Sequence, residues 1–169
     1  MTRPASLASL LMEAIRARVD STSALQPVDG QLLRGLDGVA VLDVHVGPTL
    51  QARGIAAPSL RDRLGEQLTL AQIPTPRPSD GAVLGGLQVI VKGIEAGDGT
   101  WALCVALEVR QRARLSRDVT SSFDATTWVA ELASTCSEDD LHGTCLHLVA
   151  ELTEQLAAAL RGAHMKVGP

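Results

Sequence analysis

The chain contains no asparagine and no tyrosine, one phenylalanine, two tryptophans, and only Lys92 and Lys166 as lysines among its 169 residues. Without asparagine there is no acceptor for N-linked glycosylation. Aromatics amount to 2% (Trp101, Trp128 and Phe123), so stacking on bases is excluded as the main binding device. Lys and Arg number 15 against 19 Asp and Glu, a formal charge of −4 with a pI near 5.5. That balance lacks the basic excess needed to hold phosphate backbones, which excludes nucleic acid as the main partner. No apolar run is long enough to cross a bilayer, and Glu13 and Arg16 interrupt the best N-terminal stretch. Gly-x-Ser-x-Gly does not occur, and neither Gly85-Gly86 nor Gly97-Asp98-Gly99 has the Lys-Ser/Thr or strand-to-helix context of a phosphate loop. No cofactor and no metal are expected.

What is present suffices for one domain. At 17.7 kDa and 46% hydrophobic, the chain can bury about 69% of its unfolded surface on folding. Arginine carries nearly all the positive charge, a composition typical of GC-rich bacterial genomes. Residues 1–36 are expected to form an N-terminal helix and connector, 37–162 a single domain, and 163–169 a tail. The N-terminus has no basic region followed by an apolar run and a small-residue cleavage site. The chain is then either cytoplasmic or the mature end of a longer one.

Leu7, Leu10, Leu11, Ala14, Ile15 and Val19 recur at helical spacing, predicting an amphipathic helix over 5–19 that serves core packing or self-association. Gly38–Val46 reads as a strand with Ala40, Leu42, Val44 and Val46 on one face and Val39, Val41, Asp43 and His45 on the other. Pro58 in a first turn, with Leu60, Leu64 and Leu68 following, predicts a helix over 58–72. Strands follow at 87–95, 101–115 and 124–132, with a longer hairpin loop at Ala96–Thr100 and a polar connection at Ser116–Phe123. Symmetric closure of that connection sets Leu115 opposite Asp124, Val109 opposite Ala130 and Leu107 opposite Leu132, with Glu108 facing Glu131. Cys145, Val149, Leu152, Leu156 and Leu160 form the stripe of a final helix over 139–161. The fold class is α+β: a mostly antiparallel four-stranded sheet with helices packed on one face.

The run Val109-Arg110-Gln111-Arg112-Ala113-Arg114-Leu115-Ser116-Arg117-Asp118, then Ala125-Thr126-Thr127-Trp128 and a terminal amphipathic helix, resembles a family of uncharacterised bacterial envelope or lipoprotein-like proteins. The segment from Ala57-Pro58-Ser59-Leu60 to Ile73 fits the same layout, and the resemblance covers residues 37–162. The layout is also similar to small α+β domains of periplasmic accessory proteins, namely the curli-secretion lipoprotein and the N-terminal domain of the Tol translocation protein. This likeness implies a periplasmic setting, or a membrane anchor on a removed N-terminal segment, and implies no catalytic residues. It is a likeness of fold and carries no activity with it.

Four constellations carry chemistry. Arg110, Arg112 and Arg114 alternate on one strand face with Arg117 close behind, a guanidinium row suited to carboxylates, phosphates or anionic lipid head groups, or else a solvated face. Cys136 and Cys145 allow two arrangements. If Ser137 caps a helix, the cysteines stand roughly 13 Å apart along it, too far to bridge. If Ser137–Gly143 is a loop, they can form a disulfide, and a bridge implies an oxidising compartment. Cys136, His142 and Cys145 with Asp139 or Asp140 match no common zinc spacing. Asp43 and His45 share a strand face as a base–orienter pair would, without an accompanying nucleophile elbow.

The sequence thus points to a non-enzymatic envelope accessory or interaction domain. Its expected partner is an unknown protein or a second copy, met through Arg110, Arg112, Arg114 and Arg117 or the N-terminal helix. Two alternatives stand beside it. One is a small-ligand-binding domain with a pocket lined by Leu, Val and Trp128; the other is a hydrolase using His45 and Asp43.

Overall fold

Valines at 39, 41, 44 and 46 define the inner side of the first strand, and their spacing already departs from strict alternation. In a computed structural model, which describes residues 30–77, 82–97, 99–115 and 117–165, this strand is β1 (Gly38–Val46). Its pairing slips at Leu42, so that Val41 meets Leu87 and Asp43 meets Gln88. The extra residue of the bulge returns Val44 and Val46 to the side of Val39 and leaves Leu42 outside, 60% exposed. The expected face of Ala40 and Leu42 with Val44 and Val46 is therefore broken. β-Branched side chains, not position parity, mark the core side here.

β1 is followed by a short helix α1 (Pro48–Ala52) and by α2 (Ala57–Leu70), then β2 (Leu84–Gly97), β3 (Thr100–Leu115), β4 (Asp118–Ser137) and the closing helix α3 (Leu141–Met165). The strands form one sheet in the order β1-β2-β3-β4, with β1 parallel to β2 and the other neighbours antiparallel. A parallel join needs a crossover, which α1 and α2 supply. Pro48 opens α1 and Pro58 lies in the first turn of α2, where a missing N–H costs nothing. α2 ends in a Schellman turn: Ile73 N–H reaches the Leu68 carbonyl (2.9 Å) and Gln72 N–H the Thr69 carbonyl (3.1 Å). Gln72 holds the left-handed position of that turn at φ 57°.

The sheet's inner side carries Leu87, Val89 and Val91 from β2, Trp101, Leu103, Val105, Leu107 and Val109 from β3, and Trp128 and Ala130 from β4, all buried. Leu60, Leu64 and Leu68 of α2 and the expected stripe of α3 complete one core with them. Leu33 and Leu36 join it from the segment read as connector, Leu33 from a 3-10 turn at Gly30–Leu33. Burying each large aliphatic side chain contributes about 1.5–3 kcal/mol, which makes this face the main stabilising surface. Thr153 is buried mid-helix, and its hydroxyl donates to the Val149 carbonyl at 2.7 Å. The Arg53 guanidinium lies 5.4 Å from the Trp101 ring centroid and pairs with Glu95 and Glu138 at the core's edge.

Both hairpins are tighter than their sequences suggest. Gly97 pairs directly with Thr100, with Gly97 and Gly99 supplying φ of 93° and 76° where other side chains would be strained. Asp118–Phe123, expected as a connection, is strand, and Leu115 pairs with Asp118 rather than Asp124. Val109 accordingly faces Trp128, and Leu107 faces Ala130. A two-residue slide keeps each side chain on its own face, so Trp128 and Leu132 stay on the side of Leu107 and Val109. It also separates the two acids, since Glu108 meets Val129 and Glu131 meets Ala106. Residues 163–165, expected in the tail, instead continue α3 to Met165; the helix expected over 5–19 and residues 166–169 lie outside the described residues.

Candidate interaction face

No described helix packs on the outer side of the sheet. Strand alternation sends Arg110, Arg112 and Arg114 of β3 to that side, about 7 Å from one to the next along the strand. Their partners across β4 are Thr126, Asp124 and Ser122. Arg110 and Arg112 line a concavity of about 400 Å³ with Leu42, Leu84, Gly86 and Asp124. Gly86 keeps it open, because a Cβ there would lie 2.3 Å from Leu42 Cδ1. A slip in the β3–β4 pairing between Val109 and Arg110 begins the arginine-bearing stretch of the hairpin. There the Thr127 hydroxyl donates to the Val109 carbonyl and accepts from Gln111 Nε2.

The arginines differ in how they are held. Arg112 donates from Nε to Ser122 Oγ at 2.9 Å. Arg110 has a buried Nε with no hydrogen-bond partner among the described residues. Only this nitrogen of the guanidinium is buried without an acceptor, a local desolvation that an anion arriving in the notch relieves. Asp124 lines the same notch and forms no ion pair with either arginine among the described residues. Arg114 is exposed farther along the hairpin and Arg117 lies in its turn, so the notch unites only two of the four candidates.

Asp43 and His45 do share the outer face, and both are exposed. The Asp43 carboxylate accepts the Val44 N–H at 2.9 Å, and the strand neighbour of His45 is Ile90. Among the described residues the two side chains form no carboxylate–imidazole hydrogen bond, the link through which a carboxylate would orient a base.

Cys136 is the penultimate residue of β4, opposite Trp101, and Cys145 lies in the first turns of α3. The chain between them is neither all helix nor all loop. Strand continues to Ser137, whose Oγ accepts the Asp140 N–H (3.2 Å) and donates to the Asp140 carboxylate (2.7 Å), and helix begins at Leu141. Both cysteines are free thiols. Burial, with Cys136 nearby, pushes the Cys145 thiol up to about 11. Cys136 is also raised, chiefly by burial, with Asp140 adding to the effect and a Thr144 hydrogen bond opposing it. Both hold their protons at neutral pH, which makes them poor nucleophiles and metal ligands as they stand. His142 is exposed, and no group of three or more metal-ligating side chains gathers among the described residues.

Sequence reasoning missed Leu42, Leu84 and Asp124 as notch residues. The skip from Val41 to Val44 was the available signal for Leu42. No protein-family model matches the chain, and no curated protein matches it in sequence. No described helix is long and apolar enough to cross a membrane.

Proposed function

We propose that the protein is a non-enzymatic recognition domain of the bacterial envelope, which binds a partner protein through the outer face of its sheet. Its arginine notch takes a carboxylate from that partner. The observation that carries this reading is Arg110, half-buried and with no acceptor for its Nε among the described residues, in a concavity edged by the exposed Leu42. Apolar surface beside a partly desolvated arginine is a common make-up of an interface hot spot. In a chain of net charge −4 this local reversal of sign also selects an acidic partner over a basic one.

The envelope setting rests on the resemblance described above. In an oxidising compartment Cys136 and Cys145 close into a disulfide by exchange with a protein disulfide. The two thiols give up two protons and two electrons, and the exchanging disulfide is reduced to a dithiol. Thiol counting under denaturing conditions on protein taken from the native compartment tests this step: one thiol is expected, and three refute it.

The recognition reading is tested by amide NMR titration with a glutamate-rich peptide. Shifts are expected around Leu42, Gly86, Arg110 and Asp124, and should vanish in Arg110→Ser/Arg112→Ser/Arg114→Ser. Equal shifts in that variant, or shifts confined to the helical side, refute it.

A further inference from the structure

The β3–β4 hairpin runs on past the rest of the sheet. β2 pairs with β3 as far as Gly86 opposite Arg110, and beyond that point β3 has only β4 beside it among the described residues. The core on these two strands stops at Val109 and Trp128, and no described side chain of the remaining ribbon is buried. A two-stranded ribbon with neither face covered is marginal in water. Its two sides differ. The outer side carries Arg110, Arg112 and Arg114. The inner side, continuing the alternation of Leu107 and Val109, carries Gln111 and Ala113 with their β4 partners Ala125 and Phe123, none of them charged. Phe123, the chain's one phenylalanine, is left 48% exposed there.

The chain enters the domain beside this uncovered side. Gln111 Nε2 donates to the Leu32 carbonyl (2.9 Å) and to Thr127 Oγ1 (2.7 Å), which fixes the turn at Gly30–Leu33 to the base of the ribbon. Leu33 is buried in the core, whereas Leu32 is 55% exposed, a second large apolar side chain without cover. Ahead of Gly30 stand residues 1–29, outside the described part, and within them the stripe Leu7, Leu10, Leu11, Ala14, Ile15 and Val19. An apolar stripe and an uncovered apolar surface are thus joined by the ten residues 20–29.

We propose that residues 5–19 form a helix that docks along the inner side of this ribbon, its stripe covering Leu32, Ala113, Phe123 and Ala125. The lengths agree: a helix over those residues is about 22 Å long, and the stretch Arg110–Leu115 extends about 20 Å. The connector, with a root-mean-square reach of about 17 Å, brings the helix to the ribbon without strain. The outer side is the poorer host, because an apolar stripe laid there strips water from the exposed Arg112 and Arg114. A second copy's helix is the poorer occupant, because so short a tether holds the chain's own helix at millimolar effective concentration. The docked helix and the arginines lie on opposite sides of the ribbon, so this inference stands apart from the recognition reading above.

Hydrogen exchange on the full chain, resolved by mass spectrometry, tests the docking. Residues 5–19 are expected to exchange at least about tenfold more slowly than an unstructured chain, at a rate independent of protein concentration. Phe123→Ser should abolish that protection. Leu11→Ser/Ile15→Ser should reciprocally speed exchange in the ribbon at 111–114 and 120–126, with 103–109 unchanged in both variants. Should Phe123→Ser disturb 103–109, the reciprocal variant decides. Four results overturn the proposal: unprotected residues 5–19 in the wild type, protection that survives Phe123→Ser, a ribbon indifferent to Leu11→Ser/Ile15→Ser, or protection that grows with protein concentration, as exchange of helices with a second copy requires.

Discussion

Serine substitutions at Val39 and Leu42, three residues apart on β1, should have opposite consequences to those that regular strand alternation implies. Val39 is fully buried, so Val39→Ser forfeits about 1.5–3 kcal/mol of side-chain burial and adds about 1–3 kcal/mol for a hydroxyl without a partner. The sum, about 2.5–6 kcal/mol, lowers the melting temperature by roughly 5–24 °C in a domain of this size. Leu42 is 60% exposed, so Leu42→Ser gives up less than half of a leucine's burial, at most about 1 kcal/mol. Urea titration followed by tryptophan fluorescence reads both variants, because Trp101 and Trp128 are buried and report loss of the core directly. Alternation without the bulge places Leu42 inside and Val39 outside and so reverses the order. If Leu42→Ser proves the more damaging of the two, the bulge assignment is wrong, and with it the arginine notch that Leu42 lines.

Three more outcomes follow from the same geometry. Arg110→Ser/Arg112→Ser/Arg114→Ser should unfold within about 1 kcal/mol of wild type, since Arg112 and Arg114 are exposed and the half-buried Arg110 has no hydrogen bond to lose among the described residues, while losing association with an acidic partner; circular dichroism melts and the peptide titration check the two halves. The raised Cys145 thiol makes the folded state bind a proton that the unfolded chain releases near pH 9. Stability due to that group is therefore complete below pH 9 and is lost as pH rises toward about 11, by an amount on the order of 2–3 kcal/mol; urea midpoints across that window should fall for reduced wild type and flatten in Cys145→Ala. Ser137→Ala removes the hydroxyl that organises the turn into α3 and should cost about 0.5–2 kcal/mol by chemical denaturation; a change below the error of the measurement refutes that role.

Periodicity was enough to reveal the α+β class, the positions of the four strands, the stripe of α3 and the outward row of Arg110, Arg112 and Arg114. Side-chain direction follows from local backbone geometry, and a run such as Trp101–Leu115 states its own inner face. The register of β4 against β3 was beyond local reading, because strands slid by two residues present identical faces and only the tightness of the turn distinguishes them. The bulge at Leu42 was likewise hidden, since an extra residue shows only when a partner strand is laid beside it. Chain packing also decided what no single segment contains: that Leu42 of β1 would edge the arginines of β3, and that Leu32, ahead of β1, would meet Gln111 of β3. Local sequence determines which way a side chain points, whereas what it meets there depends on chain brought from far away in sequence, and only the folded whole supplies that.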